Sequence, residues 1–548
     1  MQDLTDEDRI VEREPMGGLM YLGVVGQVKR SKIHRYRFPP QEHGIQVSRD
    51  VRDPATGGSP GSVVAIDEAA GTIDLRRGVD SAIDHPVSLV PYDLVGTTEI
   101  RASLLRVGEW VAEHGIDADG PYRAARDLLR RMPPRVGQAA GQPLAVADQS
   151  VSAAAVELAL ALDESCLPIQ GPPGSGKTHT GAEMILALVA AGKQVGVTAN
   201  SHKVIGNLLD KVVELAAEAN RPVRVGQRTE MSGHPMCPDA MPYRTNEQAL
   251  TALRSGAVDV VGATAWTWSR EEFAESLEVL VIDEAGQLSL ANAVAVSPAA
   301  RSLVLLGDPQ QLDQPLKGSH PPGADRSALA HLLDGASTMP REQGLFLDHT
   351  WRLHPDLCRY TSEVFYEDRL EPRAGTELQA LHGVGPLTGT GVRFIPVQHT
   401  GNDNSSAEEA DRIAELVAAL VDSGSTWTNR FGRTVDVTLD GVLIVAAYNA
   451  QVGELARRLP KARVGTVDKF QGQEAPISIY SMASSTAADA PRGMEFLYSL
   501  NRLNVATSRA KCLTIVVASP ELVRVRCRTP HQMRLANALC RLVEIAEG

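Results

Sequence analysis

Nowhere in the 548 residues is there a run of about 18 apolar residues, the length a membrane-spanning helix needs, so no helical membrane span is expected. The opening MQDLTDEDRIVERE is acidic and polar, which excludes a secretory leader. Cysteine is scarce and unpaired. Cys166, Cys237, Cys358, Cys512, Cys527 and Cys540 lie far apart, with no CxxC pair. Zinc or iron–sulfur ligation needs closer spacing, so free thiols in a reducing cytoplasm are expected. Positive charge is also in deficit: 54 Lys and Arg against 67 Asp and Glu give a net charge of −13. Such a balance excludes a histone-like coat for nucleic acid, yet leaves room for a motor that needs only a local basic or amide-lined track. Only ten of the basic residues are lysine, a bias that reads as genome composition rather than phosphate binding. No repeat of 20–50 residues stands out.

What is present is ordinary in bulk and informative in order. Hydrophobic residues at 43% and charged residues at 22% fit a globular protein, and the length gives three or four folding units. From Met20 to about Val95, short alternating apolar stretches (YLGVVGQV, SVVAIDEAAGTIDLRRG, PVSLVPYDLV) broken by Gly, Pro and Asp predict a small antiparallel β-barrel or sheet. Helical periodicity follows in IRASLLRVGEWVAEHG and YRAARDLLRRM, then Pro133-Pro134 and the linker GQAAGQP. After Val151 the texture changes to strand, loop, helix, repeated. SCLPIQ, KQVGVTAN, LEVLVIDEA and SLVLLGDP are the apolar runs of a first α/β block. VRFIPVQH, GVLIVAA, PISIYSM and CLTIVVA form a second one beginning near Phe346. The predicted spans are 1–140 for a β-rich accessory unit with its helices, 141–340 for the first α/β domain and 341–548 for the second.

The chemistry sits at the strand ends. GPPGSGKT (Gly171, Pro172, Pro173, Gly174, Ser175, Gly176, Lys177, Thr178) fits GxxxxGK[ST] and lies between an apolar strand and an amphipathic helix, the context a phosphate loop requires. Glycines let backbone N–H groups approach phosphate oxygens, and the helix N-terminus adds favourable potential for anions. Lys177 then reaches the β/γ-phosphates and Thr178 binds Mg²⁺. About a hundred residues on, VLVIDEAGQ ends a strand with Asp283, placed for the Mg²⁺ side, and Glu284, placed to polarise the attacking water. LVLLGDPQQL ends a third strand with Asp308 and Gln311, candidate sensors of the γ-phosphate. The second block supplies arginines: Arg352 beside Trp351 in HTWRLHP, and Arg502 and Arg509 in NRLNVATSRAK. Arginine stabilises charge on a transferring phosphoryl group, although a single arginine is more often a surface ion-pair partner.

Taken together, GPPGSGKT, DEAGQ, GDPQQL, TWRLHP, VGTVDKFQGQE and NVATSRA resemble, in order and spacing, the motifs of superfamily 1 helicases over roughly residues 140–520. DEAGQ, TVDKFQGQE and NVATSRA look like the 5′-to-3′ branch containing the nonsense-mediated-decay RNA helicase and the helicase half of the DNA-replication nuclease-helicase. The opening YLGVVGQVKRSKIHRYRFPPQEHG looks more like bacterial helicases linked to RecB-like nucleases. The resemblance implies an α/β fold of two tandem RecA-like domains behind an N-terminal β-barrel and helical stalk. It implies ATP and Mg²⁺ as cofactors, with Lys177, Thr178, Asp283 and Glu284 in the roles already read from the motifs. Gln311 would orient water or γ-phosphate, and Arg352 and Arg509 would be arginine fingers from the second lobe. Trp351, where the family usually has tyrosine, would stack on adenine, Glu474 would contact the ribose, and Gln149 would read adenine.

Single-stranded DNA or RNA is the implied partner. Thr198, Asn200 and Ser201 in VTANSHK, Thr264 in VGATAW and Thr466 in VGTVD match the family's phosphate-contacting loops, although a threonine after a strand also serves as a helix cap. Lys29, Arg30 and Lys32 lie in VKRSKIHRYRF, the most basic stretch with interleaved aromatics, which suits a single strand or, equally, a solvated hairpin. Two departures from the family stand out. The polar stretch 226–248 is short where relatives often carry an accessory domain, which leaves duplex separation open. No nuclease constellation precedes the helicase motifs, so in a complete chain any nuclease partner is a separate polypeptide, or lost; a monomer is expected. Three functions are weighed: a helicase or translocase moving 5′ to 3′, on DNA in preference to RNA; an ATP-dependent clamp that binds strands without travelling; and a small-molecule kinase, which leaves DEAGQ, TVDKFQGQE and NVATSRA unexplained.

Overall fold

Short runs of Val, Ile and Leu without alternation form strands only where both faces are covered. In the computed structural model the strands Cys166–Gln170, Val195–Thr198, Val260–Gly262, Val442–Ala446 and Ala475–Ser481 are buried at every residue. The structure describes residues 4–547, apart from 6–7, 12–13, 79–83, 93–95, 140, 147–148, 230–233, 315–320 and 322. Ala140 of the expected linker, residues 93–95 of PVSLVPYDLV and residues 230–233 of the polar stretch thus lie outside the described residues.

The chain divides into two compact units, Gly96–Arg352 with Ser362–Arg373, and Met1–Val95 with Leu353–Thr361 and Ala374–Gly548. In the first, eight parallel strands run in the order Met241–Tyr243, Val225–Arg228, Val260–Gly262, Val195–Thr198, Leu277–Ile282, Ala300–Gly307, Cys166–Gln170, Leu345–Phe346. The helix Lys177–Ala190 buries Met184, Ile185 and Leu188 in one core with Val197, Val281 and Leu306. At about 1.5–3 kcal/mol per fully buried side chain, that packing fixes the helix start, and with it Lys177 and Thr178, at the end of the strand Cys166–Gln170.

The helices Thr98–His114 and Arg123–Arg130 pack on this same unit. Ser103 donates to the Ala295 carbonyl at 2.7 Å, Glu99 pairs with Arg270 at 2.7 Å, and Ser165 donates to Asp127 at 3.2 Å. The expected boundaries after 140 and 340 differ from these units at both ends. Long-range polar contacts hold the helices to the phosphate-loop unit. Leu345–Phe346 adds to its sheet beside Cys166–Gln170, which carries residues 341–352 with it.

The second unit contains a five-stranded parallel sheet, in the order Gly391–Pro396, Ala510–Ala518, Ala475–Ser481, Val442–Ala446, Arg463–Thr466. Two parallel α/β sheets in tandem make the RecA-like pair. The N-terminal strands belong to this second unit as an antiparallel sheet, Met20–Val28, Ser31–Arg37, Thr72–Gly78 and Ser62–Asp67, with Val51–Arg52 and Val90–Pro91 as a separate ribbon. Glu42 holds this region to the parallel core by accepting the Asn449 backbone N–H at the start of the helix Asn449–Arg458. Burial there pushes the Glu42 carboxyl above its ordinary range, against the opposing pull of that N–H and of Arg492. All six cysteines are free thiols, and among the described residues no helix is long and apolar enough to cross a membrane.

Candidate nucleotide site and nucleic-acid face

The phosphate loop leaves the buried strand at Gln170 and enters the helix at Lys177 through Gly176 in the left-handed region, φ 86°. Two of its glycines are demanded by close approach. A Cβ on Gly171 would lie 2.1 Å from Lys177 Cγ, and one on Gly174 would lie 2.4 Å from Arg352 Cβ. The Lys177 ammonium donates to the Gly171 carbonyl at 2.5 Å, so the lysine is already folded over the loop. The Ser175 hydroxyl is buried with no hydrogen-bond partner, and so is that of Thr198. Orphaned hydroxyls are costly unless something else completes them, and here they border an anion-binding loop and an acidic strand end.

Asp283 and Glu284 follow the strand Leu277–Ile282. The Asp283 N–H donates to the Thr198 carbonyl at 2.9 Å, and its carboxylate accepts the Glu284 N–H at 2.9 Å. Glu284 itself takes a left-handed φ of 52°, an uncommon state for a non-glycine residue. Burial first, and then the Glu284 charge, push Asp283 up to about 7, against the opposing pull of the Glu284 N–H and Lys177. A buried carboxylate raised by these causes is one that a divalent cation would hold ionised.

Asp308, expected to sense phosphate, sits at the centre of a hydrogen-bond cluster. It is buried, and its carboxylate accepts from Tyr366 Oη at 2.6 Å, Gln311 Nε2 at 2.9 Å, Gln170 Nε2 at 3.3 Å and the Gln310 N–H at 3.1 Å. Asp308 therefore ties the strand before the phosphate loop to the Ser362–Arg373 segment, and Gln311 is one of its anchors. Tyr366 and Gln170 escaped the sequence reading. Tyr366 carries no local signal, whereas Gln170, a polar residue closing an otherwise apolar strand, offered one. Asp308→Ala leaves those donors buried and unmatched and is expected to destabilise this unit by about 3 kcal/mol, read as a fall in denaturant midpoint. A change below about 1 kcal/mol would show that the cluster contributes little.

The segment expected to begin the second lobe lies instead against the phosphate loop. Thr350 Oγ1 donates to the Pro173 carbonyl at 2.9 Å, the Trp351 N–H donates to the Gly174 carbonyl at 2.9 Å, and the Arg352 N–H donates back to Thr350 Oγ1 at 3.2 Å. Arg352 thus belongs to the phosphate-loop unit, carried there by the bonds of Thr350 and Trp351 to the loop. Trp351 stays half exposed at 47%, with Arg373 over its ring at 5.1 Å. Gln149 donates to Glu157 at 2.8 Å on the surface.

Arg509 and Glu474 belong to the other unit. Arg509 is fully buried and donates to the Val505 and Gln473 carbonyls at 3.2 and 3.3 Å, and Glu474 pairs with Lys511 at 2.8 Å. Arg502 pairs with Asp468 at 3.0 Å and lies over Phe496.

The expected strand-contacting residues divide. Ser201 is a helix cap, its hydroxyl accepting the Val204 N–H at 3.2 Å. Thr198 is buried beside Asp283 rather than exposed to a strand. Thr264 holds a cap position without a side-chain cap bond, and Thr466 ends the strand Arg463–Thr466; both are half-buried. Asn200 is exposed and donates to the Gln287 carbonyl at 2.8 Å. Lys29 and Arg30 are exposed at the turn between Met20–Val28 and Ser31–Arg37, and Lys32 is exposed on the second of these strands.

A phosphate loop, an acidic strand end and an arginine seated on the loop make up a nucleotide site of the P-loop class, built on tandem RecA-like sheets. Comparison narrows this further. Two family models, each described as an AAA domain, match residues 149–321 and 324–521. The chain is 25% identical to the DNA polymerase alpha-associated DNA helicase A of Schizosaccharomyces pombe over 442 residues, 69% of this chain and 64% of that one. It is 30% identical to Helicase sen1 of the same yeast over 289 residues, 48% of this chain and 16% of that one. To the regulator of nonsense transcripts 1 homolog of Drosophila melanogaster it is 26% identical over 403 residues, 65% of this chain and 33% of that one. The matched AAA domains and these helicase relatives bear out the resemblance to superfamily 1 helicases of the nonsense-mediated-decay branch. It spans between about one sixth and two thirds of the length of these relatives.

Proposed function

We propose that this chain is an ATP-hydrolysing helicase or translocase that moves 5′ to 3′ along single-stranded nucleic acid, DNA in preference to RNA. The observation that carries the reading is the seating of Arg352 on the phosphate loop, in the same unit as Lys177, Asp283 and Glu284. Such a set serves phosphoryl transfer rather than mere binding. The fission-yeast relative's name as a DNA helicase supports DNA.

In this reading the loop amides and Lys177 take the β- and γ-phosphates, and Trp351 stacks on the base, with Gln149 and Glu474 as further nucleotide contacts. Thr178 and Asp283 would hold Mg²⁺, for which the raised Asp283 carboxyl and the neighbouring orphaned hydroxyls are a fitting donor environment. Bound there, the ion would neutralise charge on the phosphates. Glu284 accepts a proton from the attacking water, Gln311 helps to orient it, and Arg352 and Arg509 stabilise the charge that develops. Asn200, Thr264 and Thr466 contact strand phosphates without reading bases, and the N-terminal strands serve as a barrel-like accessory with the helices after them as stalk.

ATPase rate measured with and without matched single-stranded DNA and RNA tests this, with stimulation of at least about tenfold expected. Displacement of streptavidin from biotinylated ends, 5′ against 3′, then reads movement and direction. Stimulation without displacement would favour a clamp, and absence of stimulation would remove the motor.

A further inference from the structure

The basic stretch near the N-terminus is joined in the fold by residues that its spacing does not reveal. On the strand Ser31–Arg37, Lys32, His34 and Tyr36 share one face. Their cross-strand neighbours are Gln27, Val24 and Tyr21 on one side and Arg77, Leu75 and Ile73 on the other. Ile73, Leu75 and Tyr36 belong to the buried core of the sheet. On the same face His34 and Arg77 meet His85, and His34 and His85 meet Tyr21; Arg77 is buried, whereas Lys32 and His85 are exposed and form a rim over it.

The rim is crowded with donors. His85 Nδ1 accepts from Tyr36 Oη at 2.6 Å and from Arg77 Nη1 at 2.8 Å, so its proton sits on Nε2. Arg77 also donates to Tyr36 Oη at 3.1 Å and to the Asp84 carbonyl at 3.2 Å. His34 Nδ1 bonds Tyr21 Oη at 3.0 Å, and the His85 ring stacks on Tyr21 at 3.8 Å. The groups facing the two imidazoles are Tyr21 from the first strand, Lys32 and Tyr36 from the second, Arg77 from the third, and Asp84 from the segment after it. Among the described residues facing them, Asp84 is the one carboxylate. Asp74 lies on the other face, in a two-pronged pair with Arg35 at 2.7 and 2.8 Å. The turn Lys29–Arg30 continues the cationic character outward, in a chain whose net charge is −13.

We propose that the rim formed by Lys32, His34 and His85 over the buried Arg77, extended by Lys29 and Arg30, binds the phosphate backbone of a nucleic-acid strand, and that both imidazoles take up protons as it binds. The inference rests on the reading of the chain as a motor on single strands. Desolvation first, then the neighbouring cations, lower the affinity of both histidines for protons in the free protein. A phosphate changes both causes. It draws the exposed Lys32 toward itself, competes with Nδ1 of His85 for the Arg77 donor, and supplies the negative charge that an imidazolium needs. Protonation favoured by binding means binding favoured by protons, so affinity rises as pH falls through the histidine range.

The probe is oligothymidylate, which has no structure of its own to melt. At constant ionic strength, anisotropy is expected to show about five- to tenfold tighter binding near pH 6 than near pH 8. The double variant His34→Gln, His85→Gln is expected to flatten that dependence to within about twofold. Lys32→Gln is expected to reduce the slope of log affinity against log salt by about one. Should the double variant fail to fold, calorimetry of the unaltered protein in two buffers of different ionisation enthalpy gives the same answer: net proton uptake near pH 6, fading toward pH 8. Binding and ATPase stimulation without pH dependence or proton uptake overturn the rim and leave the motor standing. Absence of both binding and stimulation overturns both.

Discussion

Glu284→Gln is expected to bind ATP and nucleic acid yet to hydrolyse ATP at least about a hundredfold more slowly than the parent. The substitution keeps the shape of the side chain and removes only its capacity to take a proton. Its backbone is held independently: the Glu284 N–H donates to Asp283, and the Gln287 N–H donates to the Glu284 carbonyl at 2.8 Å. Those bonds maintain the left-handed φ of 52°, so the direction of the side chain survives. Removing the negative charge also relieves Asp283, whose carboxyl burial and Glu284 together raise to about 7. Nucleotide affinity with Mg²⁺ is therefore expected to hold or improve while kcat collapses. Phosphate release at saturating ATP, alongside binding of a fluorescent nucleotide, separates the two. A parental kcat would remove Glu284 as the base.

Arg352→Ala is expected to lower kcat about a thousandfold, with nucleotide affinity changed only a few-fold. The position is set by Thr350 and Trp351, whose bonds to Pro173 and Gly174 involve no part of the arginine side chain. Truncation should therefore leave the loop in place, checked by an unchanged melting transition. Arg352→Lys is expected to restore little, because an ammonium cannot reproduce the planar fork that meets a phosphoryl group through several donors at once. A kcat within about threefold of the parent would assign the charge-stabilising role elsewhere, with Arg509 the next to test.

These two residues differ in how they were legible. Glu284 was readable because its role depends on a local pattern, an apolar strand ending in two acids at a set distance from a phosphate loop. Arg352 was readable as an arginine in a motif, but its unit was not. The sequence places it in the second α/β block, whereas the fold seats it on Gly174, one block earlier. Asp308 was legible only in part. As a strand-end acid it looked like a phosphate sensor, yet Tyr366, 58 residues away, and Gln170, 138 residues away, occupy its carboxylate. Ser201, chosen for a strand, turned out to cap its own helix, the local use that serine favours.

The sequence by itself determined the two α/β blocks, the phosphate loop and the acidic strand end at Asp283 and Glu284, since buried parallel strands and the polar residues at their ends write short, unbroken patterns along the chain. Only the tertiary structure decided where the helices after residue 96 pack, which unit holds Arg352, what Asp308 binds, and that His34 and Arg77 meet His85 on one face. Each of these rests on hydrogen bonds or ring contacts between residues brought together across strands and loops. Such pairings leave no periodic trace in the residues between them, so chain closure and packing alone select them.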